Sequence, residues 1–198
     1  MEKRNLLEYV ESGDLEVVKS ILENGGDPNI ADRRGYSALL IATYNNDKKM
    51  VDLLIEYGAN PNQKNHFGMT ALSHASYFCY MEIVEMLLKN NANVNTKTDE
   101  GWTPLMEAAR GGCTDAINLL LKYGADINAV NNDGWTALHY AIIKGHEKIV
   151  SILLESGASV NVGEPTPLDL AKALLEEDLL IKDKLVNINN ILRKYGGE

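Results

Sequence analysis

The sequence predicts an all-α repeat solenoid built from stacked helix–turn–helix units. The first observation is a set of glycines, each 33 residues after the one before: Gly35, Gly68, Gly101 and Gly134. The second is that a Ser or Thr, a Leu and an Ala follow every one of these glycines at constant offsets, through four copies without a gap. The third is the spacing of three and four residues between apolar side chains in the segments that follow, which is typical of amphipathic helices. So strict a period indicates units that pack mainly against their neighbours.

Two hexapeptides relate this pattern to a known family. Thr103-Pro104-Leu105-Met106-Glu107-Ala108 and Thr136-Ala137-Leu138-His139-Tyr140-Ala141 resemble the Thr-Pro-Leu-His-x-Ala motif of ankyrin repeats, which have the same period. The chain therefore resembles an ankyrin-repeat protein over nearly its whole length. The resemblance implies an ankyrin solenoid of stacked helix–turn–helix units with protruding hairpin-like finger loops, and a His139 side chain that hydrogen-bonds within its turn.

The chain divides into six expected units. In each full repeat, a Gly with positive φ forms a turn, a Ser or Thr caps a short first helix, and small residues allow close helix approach. A second helix should end at a left-handed residue, and an Asn in the outgoing loop should bond across repeats. The units are an N-terminal capping repeat at 1–31, ankyrin repeats at 32–64, 65–97, 98–130 and 131–163, and a C-terminal capping repeat with an insertion at 164–198.

The last unit departs from the period. Thr166 follows Thr136 by 30 residues instead of 33, which predicts a shortened last finger loop. The spacing from Thr166 to Leu192 then indicates an insertion of about eight residues between the last two helices. The acidic segment from Glu176 to Lys182 is expected to extend the first of them. It is either a solvated turn or a docking extension, and the sequence leaves the role of the region near Glu176 to Asp183 open.

Composition excludes several classes of partner. A net charge of −9 and a pI near 5.0 disfavour nucleic acid and anionic lipid, because both need clustered Lys and Arg. The start of the chain lacks a signal-peptide core and no run is long enough to cross a bilayer, so we expect a cytoplasmic protein. Cys79 and Cys113 are expected to be reduced thiols, because stacked helices lie about 8–10 Å apart and a disulfide needs Cα atoms within about 7 Å.

Motifs that carry chemistry are not found in the sequence. It has no His-Glu-x-x-His helix, no zinc spacing of Cys and His, no nucleophile elbow and no phosphate loop. We therefore expect no enzyme activity, no catalytic residue, no metal and no cofactor.

Recognition is expected on the surfaces that the repeat pattern leaves variable. By resemblance, ankyrin proteins bind partner proteins through the finger loops and the concave face of the first helices. In this chain those positions hold many aromatic and Arg residues, which dominate interface energies. The expected protein-binding residues are Arg33, Arg34, Tyr36, Tyr44, Phe67, Met69, Tyr77, Phe78, Trp102, Glu107, Arg110, Trp135, Tyr140 and Lys144. Alternatively, Trp102 and Trp135 pack on neighbouring loops and stiffen the stack, and both interpretations can hold together.

The leading functional hypothesis is a non-catalytic protein–protein interaction scaffold that binds one or more proteins. The alternative is a regulatory inhibitor or effector subunit that blocks a partner enzyme or host protein with the same surface. A small-molecule or nucleic-acid binder is a third class, disfavoured by the acidic charge and by the lack of convergent polar groups. We expect a monomer, with self-association through the aromatic residues left open. Arg33 and Arg34 suggest that an acidic end of the partner lies toward the N-terminal repeats.

Overall fold

The computed structural model of the protein describes residues 6–176 and 181–196. Within these ranges it contains twelve α-helices and no β-strand, which confirms the all-α repeat fold. Each of the six expected units holds one helix pair, although the unit boundaries themselves remain a prediction. The helices are α1 Leu6–Ser12, α2 Leu15–Glu23, α3 Ala38–Tyr44, α4 Lys48–Glu56, α5 Ala71–Tyr77, α6 Met81–Lys89, α7 Pro104–Gly111, α8 Thr114–Lys122, α9 Ala137–Ile143, α10 Glu147–Glu155, α11 Pro167–Glu176 and α12 Lys182–Lys194.

The helices form two layers. The first helices of the units contact one another in chain order, from α1 through α3, α5, α7 and α9 to α11, and the second helices do the same from α2 to α12. The apolar stripes of the second helices face the first layer, so Val51, Leu54, Val84 and Leu87 are completely buried. A single continuous core therefore runs along the stack.

Local capping explains where the first helices begin. The hydroxyls of Ser37, Thr70 and Thr103 accept hydrogen bonds from backbone N–H groups three residues further on. Asp14 caps α2 in the same way, as expected from the sequence. The left-handed helix ends are also confirmed, including Asn91 with φ of 63°.

Asparagines in the outgoing loops join each repeat to the next, as the sequence predicts. We call these bonds the junction ladder. Asn62 accepts from the backbone N–H of Asn93 and donates to the carbonyl of Asn91 at 3.0 Å. Asn95 repeats both bonds one unit later, with the Asp126 N–H and the Gly124 carbonyl. The junctions between repeats are therefore held by hydrogen bonds from asparagine side chains to the backbone of the next repeat, in addition to the apolar core.

A second row of bonds connects the finger loops. The backbone N–H of His66 donates to the Arg34 carbonyl, and the N–H of Asp99 donates to the Phe67 carbonyl, at 3.0 and 3.1 Å. Gly101 has φ of 82°, and a Cβ there would lie 2.9 Å from the backbone N of Asn132. Glycine is thus required at 101 for close contact with the next loop as well as for its φ angle, whereas a Cβ on Gly134 would come no closer than 3.7 Å to Glu164.

The last finger loop is shortened and is fastened differently. The Nδ1 atom of His139 accepts from the backbone N–H of Thr136 at 3.0 Å, so its Nε2 carries the proton and donates to the Pro165 carbonyl at 2.7 Å. His139 therefore bonds within its turn, as the resemblance implied, and also holds the last unit.

The expectation of two reduced cysteines is wrong, because a disulfide joins Cys79 and Cys113. Their Cα atoms lie 5.4 Å apart. The distance between helix axes does not limit this pair of cysteines, because both lie in turns between helices. Cys79 has a left-handed backbone, with φ of 59°. In addition, α5 and α7 pack closely: a Cβ on Gly111 would overlap the carbonyl oxygen of Tyr77.

The C-terminal unit has longer helices than the others. Helix α11 has ten residues and ends at Glu176, and α12 has thirteen. Lys182 begins α12, so it does not extend the first helix of this unit. The rest of the expected extension, residues 177–180, lies outside the described residues. Leu185, Ile188 and Leu192 bury the apolar face of α12 against the stack.

Candidate functional site

A continuous series of ring and guanidinium contacts crosses the face of the first helices. Neighbouring members contact each other as stacked, tilted or T-shaped ring pairs or in cation–π geometry, with separations between 3.7 and 5.7 Å. The series links the second repeat unit of the chain to the fifth, so it spans four units. We call it the aromatic row: Tyr36, Tyr44, His74, Phe78, Tyr77, Arg110, Trp102, Tyr140 and Trp135.

His74 is at the centre of the N-terminal half of the row. Its ring stacks on Tyr44 with centroids 3.7 Å apart, and Phe78 lies 4.6 Å away. Burial lowers the pKa of His74 to about 4, so the ring is neutral at neutral pH. The Tyr44 hydroxyl contacts the sulfur of Met69 at 3.4 Å, which ties the helix to the second finger loop.

Arg110 connects the two halves of the row. Its guanidinium carbon lies 4.7 Å from the ring centroid of Tyr77 and 5.1 Å from that of Trp102. One of its nitrogens lies 3.6 Å from a carboxyl oxygen of Glu107. Burial raises the pKa of Glu107 to about 7; the nearby Arg110 opposes this rise and Glu100 adds to it. A buried, readily protonated carboxyl thus lies beneath the row.

The structure does not give all fourteen expected residues the same exposure. Arg33, Arg34, Tyr44, Phe67, Phe78 and Lys144 are exposed, and Tyr36, Met69, Tyr77, Trp102, Arg110 and Trp135 are half-buried. Glu107 and Tyr140, expected to line the exposed face, are buried. The rings of Trp102 and Trp135 cover Tyr140, whose hydroxyl accepts from the Asn131 amide at 2.9 Å. Glu107 and Tyr140 therefore lie beneath the exposed surface and support it.

The two tryptophans differ in the ring contacts that they make. Trp102 packs on Tyr140 of the next repeat with ring centroids 4.2 Å apart, whereas Trp135 contacts His139 and Tyr140 of its own repeat, at 5.7 and 5.5 Å. Trp102 therefore joins two repeats, and both tryptophans are half-buried, so part of each ring stays accessible.

Two adjoining clefts open on this face. The first, which we call the loop cleft, has about 250 Å³, and the second, the helix cleft, about 260 Å³. They share a border of Met69, Glu107 and Arg110. The loop cleft is further lined by Phe67, Thr98, Asp99, Glu100 and Trp102, and the helix cleft by Tyr44, Ser73, His74, Tyr77 and Phe78.

Sequence reasoning did not anticipate His74 as the centre of a stack, nor the contact of Tyr80 with Phe78 at 5.7 Å. For His74 a signal existed, since it occupies the same repeat position as Glu107 and Tyr140. For Tyr80 there was none, because the equivalent positions hold unrelated residues.

No group of three or more potential metal ligands is found among residues 6–176 and 181–196. Within the same ranges, the helices are all too short or too polar to cross a membrane.

The regular stack of helix pairs, with rigid loop junctions and variable side chains on one face, defines a repeat protein. A family model described as ankyrin repeats (three copies) matches residues 6–98 and 90–164. The chain therefore belongs to the ankyrin-repeat family, whose repeats are generally protein–protein interaction modules.

A solved structure agrees with this assignment. The chain is 30% identical to an ankyrin repeat domain from Acinetobacter baumannii AYE, with a TM-score of 0.86 and 98% of each chain covered. No curated protein sequence matches the chain.

Proposed function

We propose that the protein is a non-catalytic scaffold that binds a partner protein through its finger loops and the face of its first helices. The observation that supports this is the aromatic row, which keeps rings such as Tyr44 and Phe78 partly exposed, at 39% and 49%. Exposed aromatic and Arg side chains supply much of the binding energy in protein interfaces. Their concentration on one face is more than the packing of the stack requires.

Preorganisation supports the same proposal. Each ring of the row is held by at least one neighbouring ring or guanidinium, and the junction ladder and the bonds between finger loops hold the backbone beneath. A side chain that is already ordered loses little conformational entropy on binding. A modest contact area can then give useful affinity.

The charges suggest how the partner is oriented. Arg33 is exposed at the N-terminal end of the face. The guanidinium carbon of Arg34 lies 5.2 Å from the ring centroid of Tyr36. Asp99 and Glu100 are exposed in the third finger loop of the series. A partner with an acidic end over the N-terminal repeats fits this distribution.

The expected cytoplasmic location belongs to the same proposal. It requires that the Cys79–Cys113 bridge be reduced in the cell, because disulfides persist mainly in oxidising compartments. Alkylation of the cysteines in protein rapidly quenched from cells tests this point.

Affinity capture with mass spectrometry tests the binding surface. The test variant is the double substitution Phe67→Ala/Phe78→Ala, which removes two exposed rings from the proposed face. The control is Tyr123→Ala/Tyr195→Ala, which removes two exposed rings elsewhere. We expect the wild type and the control to retain the same partner and the test variant to bind it at least about tenfold more weakly. Equal binding by both variants would show that the face is wrongly assigned.

A further inference from the structure

We infer that the loop cleft receives a basic side chain, Arg or Lys, from the partner protein, and that the helix cleft receives a neighbouring apolar side chain of the same segment. This inference rests on the proposed function, because it specifies what the partner must present to that face.

The walls of the loop cleft suit the stem of a long basic residue. Phe67, Met69 and Trp102 supply aromatic and thioether surface along the cleft. The methylene groups of Lys and Arg pack on such surfaces while the charged end reaches a polar group. A volume of about 250 Å³ suits one side chain and is below the usual range of about 300–1,000 Å³ for small-molecule pockets.

The charges of the cleft favour a cation. Three acidic residues line it, Asp99, Glu100 and Glu107, against one basic residue, Arg110. Arg110 pairs with Glu107, and no ion pair with a Lys or Arg is seen for Asp99 or Glu100 in the part of the chain that the structure describes. A second cation would therefore meet two carboxylates that have no internal counter-charge.

Arg110 already shows how a guanidinium is held here. It lies 5.1 Å from the ring centroid of Trp102 and 3.6 Å from the carboxyl of Glu107. Aromatic faces and carboxylates attract a guanidinium by cation–π and Coulomb terms. The open volume beside Arg110 offers the same kinds of group to a residue from outside.

The helix cleft sets the second requirement. It adjoins the loop cleft across Met69, and its other walls include Tyr44, Tyr77 and Phe78. Its neutral His74 adds no charge at neutral pH. An apolar side chain close in sequence to the basic residue would therefore bury these rings and complete the contact.

Selection from a random peptide library displayed on phage tests the inference with the full chain. We expect the enriched peptides to share an Arg or Lys within a few residues of a Leu, Ile, Phe or Trp. Synthetic peptides from this pool should lose at least about tenfold in affinity for the variant Asp99→Asn/Glu100→Gln. They should keep their affinity for Asp52→Asn/Glu56→Gln, which makes the same change of net charge at exposed positions of α4.

The remaining outcomes contradict the inference. Peptides without a basic residue that lose affinity on Phe67→Ala/Phe78→Ala would overturn the cation preference and leave the proposed binding face intact. Equal loss on the two charge variants would show a nonspecific effect of net charge and would also overturn it. Peptides unaffected by the ring and charge variants alike, or no enrichment at all, would count against both the inference and the proposed face.

Discussion

A nitrogen of the Arg110 guanidinium lies 3.6 Å from a carboxyl oxygen of Glu107 at the border between the two clefts. The side chain of Glu107 is only 8% exposed, whereas the side chain of Arg110 is 40% exposed. Burial costs the ionised carboxylate more than this one long ion pair returns, so the pKa of Glu107 remains raised.

This pair predicts an unusual dependence of stability on pH. The pKa of Glu107 is about 7 in the folded protein and 4.5 as its ordinary value, so the folded state holds the proton more tightly between these limits. The contribution of Glu107 to the free energy of unfolding is therefore complete below pH 4.5 and is lost as the pH rises to 7. We expect the stability advantage of Glu107→Gln over the wild type to grow by about 3 kcal/mol between pH 4 and pH 8.

Urea unfolding at several pH values measures this difference. His74, whose lowered pKa of about 4 gives the opposite slope between pH 4 and 6.5, is present in both proteins and cancels. A difference in stability between the two proteins that does not change with pH would mean that Glu107 titrates at an ordinary pKa.

Two glycines with nearly the same φ allow the energetic cost of a left-handed backbone to be measured apart from the cost of a close contact. Gly101 and Gly124 have φ of 82° and 84°, but only at Gly101 would a Cβ meet the next loop, 2.9 Å from the N of Asn132. We expect Gly124→Ala to cost about 1 kcal/mol for its left-handed backbone and Gly101→Ala about 2–4 kcal/mol. Thermal unfolding of both variants checks the order. Equal losses would indicate that the finger loops move apart without cost.

The junction ladder makes its own prediction. Substituting Asn62→Ala removes one acceptor and one donor that reach the next repeat, and should lower the free energy of unfolding by about 1–2 kcal/mol. Asn118→Ala, at an exposed position of α8, should change it by less than about 0.5 kcal/mol. Denaturant unfolding compares the two variants. An equal loss of stability at Asn118 and Asn62 would show that the junction ladder does not contribute to the free energy of unfolding.

The disulfide predicts a response to reduction. Closing the loop from Cys79 to Cys113 should stabilise the protein by about 2–4 kcal/mol, and dithiothreitol or Cys113→Ser should remove this amount. The variant should not respond further to the reductant. Alkylation of the untreated protein, followed by mass spectrometry, should leave both cysteines unlabelled. Labelling of exposed Cys79 in protein rapidly quenched from cells would show that the bridge is open there.

The fold was predictable because its determinants are local and repeated. Caps such as Thr103 and left-handed ends such as Asn91 act within a few residues, so a single copy of the motif specifies them and four copies fix the period. The cross-repeat bonds of Asn62 followed from the same regularity.

Contacts that occur in one place only were not predictable in this way. Tyr140 is buried because tryptophans from two different finger loops cover it, whereas the other two finger loops hold Tyr36 and Met69 at the same position. The Cys79–Cys113 bridge depends on the close approach of two particular turns, which an average helix spacing does not describe. The expected binding residues were chosen by their repeat positions, but the order of their ring contacts required coordinates.

The junction ladder also bears on how such a chain can change its length. Asn62 and Asn95 present the same amide to the same two backbone groups of the following unit, so one junction is chemically equivalent to the next. Removal of one internal unit of 33 residues would bring together the same amide and the same two backbone groups. Duplication of a unit would add one more junction with these two bonds. Gain or loss of a whole unit therefore leaves these asparagine bonds intact while it changes the side chains that a partner meets.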